Sequence, residues 1–119
     1  MDKNVFNNAI ICDNARICDN ARIFGNAIIG DNARICGNAY ITSNDDYLVI
    51  SNIGSENGVL TIFRCRDGSV KCTRGCFYGT LDEFEKAVKE KHGNSKIAQE
   101  YKVCITLAKI RFERGDKCA

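Results

Sequence analysis

The sequence predicts an α+β fold in two regions, a stack of very short strands over residues 1–46 and a β-hairpin with two α-helices over residues 47–119. Three observations lead there. A six-residue phrase is written six times without a gap from Asn8 to Ser43. Asp67-Gly68 stands between two strand-like runs, the strongest short-range hairpin signal. Thr80-Leu-Asp-Glu83 is a capping box that opens the first of two segments with helical periodicity.

The repeat copies are Asn8-Ala-Ile-Ile-Cys-Asp13, Asn14-Ala-Arg-Ile-Cys-Asp19, Asn20-Ala-Arg-Ile-Phe-Gly25, Asn26-Ala-Ile-Ile-Gly-Asp31, Asn32-Ala-Arg-Ile-Cys-Gly37 and Asn38-Ala-Tyr-Ile-Thr-Ser43. A fixed period marks a stacked repeat. Asp2 to Asn7 reads as a worn seventh copy, with Val5 at the isoleucine place. Alanine and isoleucine sit two apart, so on a short strand both point inward and their neighbours point outward. The Gly or Asp that ends one copy and the Asn that starts the next supply a corner, since these residues tolerate positive φ or bond their own backbone.

Ile29-Gly30-Asp31-Asn32-Ala33 follows a phrase of aliphatic, small, two polar, then small residues. The pattern resembles the hexapeptide repeat of left-handed parallel β-helix proteins, the family of bacterial acyltransferases and γ-class carbonic anhydrases. The resemblance covers about the first third of the chain and implies a short left-handed parallel β-helix of about two coils, three hexads to a coil. Stacking by three hexads then puts Ile10 over Ile28 and Cys12 over Gly30 on one outer face. A second face carries Phe6, Arg22, Phe24, Tyr40 and Thr42, and a third carries Arg16, Cys18, Arg34 and Cys36. Repeat arrays this short need capping. Outward Phe6, Ile10, Phe24, Ile28 and Tyr40 are candidate contacts of a homo-oligomer, dimer or trimer, unless the chain's own helices cover them.

Apolar residues at 45% and charged residues at 27% are ordinary for a globular domain. No apolar run approaches a membrane span and no cleavable secretory start is visible, so the expected location is the cytoplasm. A net charge of +2 does not by itself argue for nucleic acid. Eight cysteines would suit a disulfide framework in a secreted chain, but without a signal sequence reduced thiols are expected. Cys18 and Cys36 come within reach of bonding in neighbouring coils. Cys65, Cys72, Cys76 and Cys104 lack a Cys-x-x-Cys pair and the chain has one histidine, His92, so neither metal nor cofactor is expected.

Tyr47 to Ile50 reads as a strand leaving the repeat, and Asn52 to Gly58 as a turn-rich loop. Val59 to Arg66 and Ser69 to Arg74 flank Asp67-Gly68. A two-residue turn there pairs Phe63 with Cys72 and Cys65 with Val70 on a buried face, and sets Arg64 opposite Lys71 on the other. Opposed like charges cost a fraction of a kcal/mol unless an anion lies nearby. A solvated edge hairpin explains the same basic face. The first helix runs from the Thr80 cap to Gly93 with Leu81, Phe84 and Val88 inward. The second runs from about Ser95 to Glu113, with Ile97, Tyr101, Cys104, Ile105, Ala108 and Phe112 on one side and Arg111, Arg114 and Lys117 toward its negative end.

The repeat holds no histidine, whereas the resemblance implies a histidine base in the acyltransferases and three zinc-bound histidines in the carbonic anhydrases. His92 sits where a helix end favours it. The chain is therefore expected to bind rather than catalyse. With Cys72 to Phe84 included, it resembles small uncharacterised hexapeptide-repeat proteins of phages and gut Firmicutes, which implies an antagonist of host defence acting in the host cytoplasm. In the leading expectation the protein sequesters an anionic nucleotide signal. Arg64, Arg66, Lys71 and Arg74 meet phosphates, Phe77 or Tyr78 stacks on the base, and Ser55 belongs to a closing loop. The alternatives are an anti-CRISPR-type inhibitor of a defence protein or nuclease, and a relative of the acyltransferases or an oligomerisation scaffold.

Overall fold

A computed structural model describes residues 4–6, 8–12, 14–30 and 32–113. Asp2, Asn7, Asp13, Asp31, Arg114 and Lys117 lie outside the described residues. Each hexad forms a two-residue strand: β1 (Ile10–Ile11), β2 (Arg16–Ile17), β3 (Arg22–Ile23), β4 (Ile28–Ile29), β5 (Arg34–Ile35) and β6 (Tyr40–Ile41). The chain continues through β7 (Tyr47–Ile53), β8 (Gly58–Arg64), β9 (Val70–Arg74) and β10 (Phe77–Thr80) into α1 (Leu81–His92) and α2 (Lys96–Glu113).

Each early strand pairs in parallel with the strand three hexads along, β1 with β4, β2 with β5 and β3 with β6. Alanine and isoleucine do face inward, with Ala27, Ile29, Ala33, Ile35 and Ile41 all fully buried. The left-handed parallel β-helix is nevertheless not what forms. The architecture is a mixed α+β fold with three separate two-stranded parallel pairs and a four-stranded antiparallel sheet in the order β10-β9-β8-β7. Ile23 of β3 also bridges Val5 in parallel, but no parallel partner is added beyond β4, β5 and β6, because the chain leaves Tyr40–Ile41, passes a 3-10 turn at Asn44–Asp46 and enters an antiparallel sheet. An isolated antiparallel bridge from Ala39 to Cys65 joins the two systems.

That sheet is the middle of three layers. Strand residues alternate between its faces. Leu60, Ile62 and Cys72 pack with Phe84, Val88, Tyr101, Cys104, Ile105, Ala108 and Phe112 of the helices. Phe63 and Cys65, with Tyr47 and Val49 beside them, pack on the alanines and isoleucines of the repeat. The sheet also satisfies the repeat's last edges. Thr61 Oγ1 accepts from the Arg34 amide at 3.1 Å, Thr73 Oγ1 donates to the Arg34 carbonyl at 2.8 Å, and the Arg66 amide donates to the Asn38 carbonyl at 2.9 Å. The Ile28 amide donates to Asn44 Oδ1 at 2.8 Å and the Ile28 carbonyl accepts from the Tyr47 hydroxyl.

The hairpin register differs by one residue from the sequence expectation. Ile62 pairs with Cys72, Phe63 with Lys71, and Arg64 with Val70. The Cys65 amide donates to the Ser69 carbonyl, so the loop is Arg66-Asp67-Gly68, with Gly68 at φ 88°. A three-residue loop ending in a left-handed glycine is the next commonest hairpin solution after the two-residue turn. Asp67 Oδ1 supports it by accepting from the Ser69 amide and hydroxyl. A one-residue slip sends side chains to the other face. Arg64 and Lys71 therefore point to opposite sides of the sheet.

Helix α1 begins as its sequence says. The Thr80 hydroxyl accepts from the Glu83 amide at 3.1 Å while the Glu83 carboxylate accepts from the Thr80 amide at 2.8 Å. No helix among the described residues is long and apolar enough to cross a membrane.

Because Phe63 is fully buried between sheet and repeat, Phe63→Ala is expected to cost about 3–5 kcal/mol. Urea unfolding of the wild type should give one transition on any probe; two separated transitions would show that the layers do not share a core.

Candidate functional site

The outer face built by β2 and β5 carries the densest polar chemistry. Arg16 and Arg34 are direct cross-strand partners, both exposed, because Ile17 and Ile35 take the inward places. Opposed like charges on neighbouring strands are unfavourable by a fraction of a kcal/mol. Arg34 Nη1 donates to the Gly75 carbonyl at 2.7 Å, which holds its guanidinium against the β9–β10 turn. Asn14, Asn32, Val59 and Gly75 complete a groove of about 660 Å³ between this face and the sheet.

Farther along the same face, Cys18 and Cys36 follow their strands, and the Cys18 amide donates to the Ile35 carbonyl at 2.9 Å. Asp19, at φ 57°, accepts from the Gly37 amide through Oδ2 at 3.1 Å. The donor atoms of Cys18, Asp19 and Cys36 all lie within 4.8 Å of one another. Burial, helped by the neighbouring Cys18, pushes the Cys36 thiol up to about 11.

The residues chosen from sequence are dispersed. Arg64 lies on the helix side of the sheet: its Nε donates to Asp46 Oδ1 at 3.2 Å, its Nη2 donates to the Phe112 carbonyl at 3.3 Å, and its guanidinium sits 5.4 Å from the Phe112 ring centre. Asp46, almost wholly buried, also accepts from the Thr42 amide and hydroxyl. Arg74 donates to the Tyr101 hydroxyl at 3.0 Å and to the Ser55 carbonyl. Ser55 is thereby tied to α2, as is Gly54, whose amide donates to Glu100 Oε1 at 2.9 Å. Phe77 packs 5.1 Å from Phe84 in the helix-side core.

Arg66 is exposed in the hairpin loop, 5.8 Å from the Tyr40 ring centre. Lys71 and Tyr78 face the repeat, with the lysine 5.5 Å from the tyrosine ring centre. The Tyr78 hydroxyl occupies the space a side chain on Gly37 would need, which brings it beside the cysteine face. Arg74 lines the groove beside Arg16 and Arg34 although its guanidinium turns to Tyr101 and Ser55, Lys71 and Tyr78 lie toward the cysteine end of the face, and Arg64 takes no part.

Of the interface candidates, Ile10 is 53% and Ile28 46% exposed. Phe6, 37% exposed, stacks on Phe24, and Phe24 meets Tyr40 at a tilt, with 4.8 and 4.9 Å between ring centres. Sequence spacing puts Arg16, Arg34, Cys18 and Cys36 on one face but does not mark that face as a site. Nothing in the sequence singles out Thr61, Thr73 or Gly75, which complete it. No family model, curated protein or solved structure matches the chain.

Removing Arg64 takes away a charged partner of nearly buried Asp46, while Arg64 itself retains some water contact (26% exposed). Arg64→Ala is therefore expected to lose about 2–3 kcal/mol in urea unfolding, below the range for fully buried pairs. Exposed Arg66→Ala should stay within about 0.5 kcal/mol.

Proposed function

We propose that the chain is a non-enzymatic, oligomeric binding protein that sequesters an anionic, nucleotide-like small molecule in the groove beside Arg16 and Arg34. The observation that carries this reading is the in-register arginine pair, whose mutual repulsion a phosphate would relieve. Guanidinium groups suit phosphate because each offers paired donors in a plane. Asn14 and Asn32 add neutral amide groups at the rim, and the volume lies within the range of small-molecule sites. In a phage-encoded protein, withdrawing such a signal would blunt a host defence in the host cytoplasm.

Native mass spectrometry and thermal shifts with inorganic phosphate, mononucleotides and cyclic dinucleotides test the reading. A ligand at a hundredfold excess over its Kd should stabilise the chain by about 2.7 kcal/mol. Arg16→Glu with Arg34→Glu should abolish that shift. Absence of both retained nucleotide and any shift with the panel would remove the proposal.

A second surface favours self-association or the inhibitor reading. Val103, Leu107 and Ile110 form an exposed apolar stripe on α2, at 69%, 46% and 62% exposure, opposite the helix's buried side. Such a stripe is costly in water. Sedimentation should show a wild-type oligomer that Leu107→Lys dissociates; a wild-type monomer would leave the stripe to a partner protein and remove the oligomer from the proposal.

A further inference from the structure

We propose that Cys18, Cys36 and Asp19 form a binding site for a thiophilic divalent cation of the zinc type, a thiolate pair and one carboxylate with an open fourth position. Their donor atoms already lie within 4.8 Å of one another. A tetrahedral zinc with bonds of about 2.3 Å to sulfur and 2.1 Å to oxygen needs separations of roughly 3.6–3.8 Å between donors. Side-chain rotation supplies that contraction of about 1 Å.

Three features of the backbone place the donors. Cys18 and Cys36 each follow the in-register strands β2 and β5, so they are neighbours across a parallel pair. Asp19 stands at the next corner in a left-handed conformation, and the Gly37 amide holds its Oδ2. That hydrogen bond orients the carboxylate and leaves Oδ1 for a metal, as outer partners of metal ligands commonly do. Cys36 is nearly buried, Cys18 half-buried and Asp19 exposed, so a cation has an entrance and a desolvated base. Two thiolates and a carboxylate around a dication leave one net negative charge, which neighbouring Arg34 offsets.

A disulfide is the competing outcome for two adjacent thiols. In-register parallel neighbours hold their side chains about 4.8 Å apart, whereas a disulfide needs Cβ atoms at about 3.5–4.5 Å. A bridging cation fits the wider separation. Binding displaces the two thiol protons and changes no oxidation state, so it needs no oxidant.

The test uses the full chain, reduced, stripped with a chelator and titrated with Co²⁺ alone. Sulfur-to-cobalt charge-transfer absorption should saturate at one equivalent, vanish in Cys36→Ser and in Cys18→Ser, and require at least about tenfold more cobalt in Asp19→Asn. Cys12→Ser and Cys76→Ser should behave as wild type. Should Cys36→Ser fail to fold, half-buried Cys18→Ser gives the same reading. The site is refuted by no charge-transfer absorption in the wild type, by absorption that survives Cys18→Ser, or by a Cys18–Cys36 disulfide that forms in place of cobalt binding.

Discussion

The outer edge of the last three hexads is the constraint on which the rest depends. Strands β4, β5 and β6 each use one edge to pair with an earlier hexad and present the other edge outward. Unpaired backbone groups there are costly if buried and invite association if exposed. The structure answers with three different devices: the Asn44 and Tyr47 side chains on β4, the Thr61–Thr73 pair on β5, and the hairpin backbone on β6. All three come from residues 44–73, so the C-terminal region completes the repeat rather than adjoining it.

Closing this edge also determines what happens beneath it. Phe63 and Cys65 enter the alanine–isoleucine core, and the other sheet face is then free to hold α1 and α2. A single sheet with two apolar faces is the usual centre of such a layered arrangement. Its consequence for chemistry is partition. Arg64 and Arg74 turn their guanidinium groups to the helix side, where they bind Asp46, Phe112, Tyr101 and Ser55. Arg16, Arg34, Lys71, Tyr78 and the Cys18–Cys36 pair belong to the repeat side.

The hairpin shows how one local choice moves a candidate site. Asp67-Gly68 signals a turn, but the dipeptide is compatible with a two-residue loop or with the last two residues of a three-residue loop. Threonines 61 and 73 are cross-strand partners only in the latter register, and that pairing lets both reach the Arg34 backbone. Long-range hydrogen bonds therefore favour the register that separates Arg64 from Lys71. No local signal contains that information.

By itself the sequence determined the six-residue period, the inward alanines and isoleucines, the grouping of Arg16, Arg34, Cys18 and Cys36, the capped start of α1 and the buried side of α2. All of these are periodic or nearest-neighbour properties, set by strand and helix geometry over a few residues. The tertiary structure alone decided that parallel pairing ends at β4, β5 and β6, that β10 joins the sheet, and that the predicted arginine cluster divides between two faces. Those outcomes depend on contacts between residues tens of positions apart, such as Ala39 with Cys65 and Arg34 with Gly75. Their physical cause is the need to pair buried backbone groups, which local residue pattern does not encode.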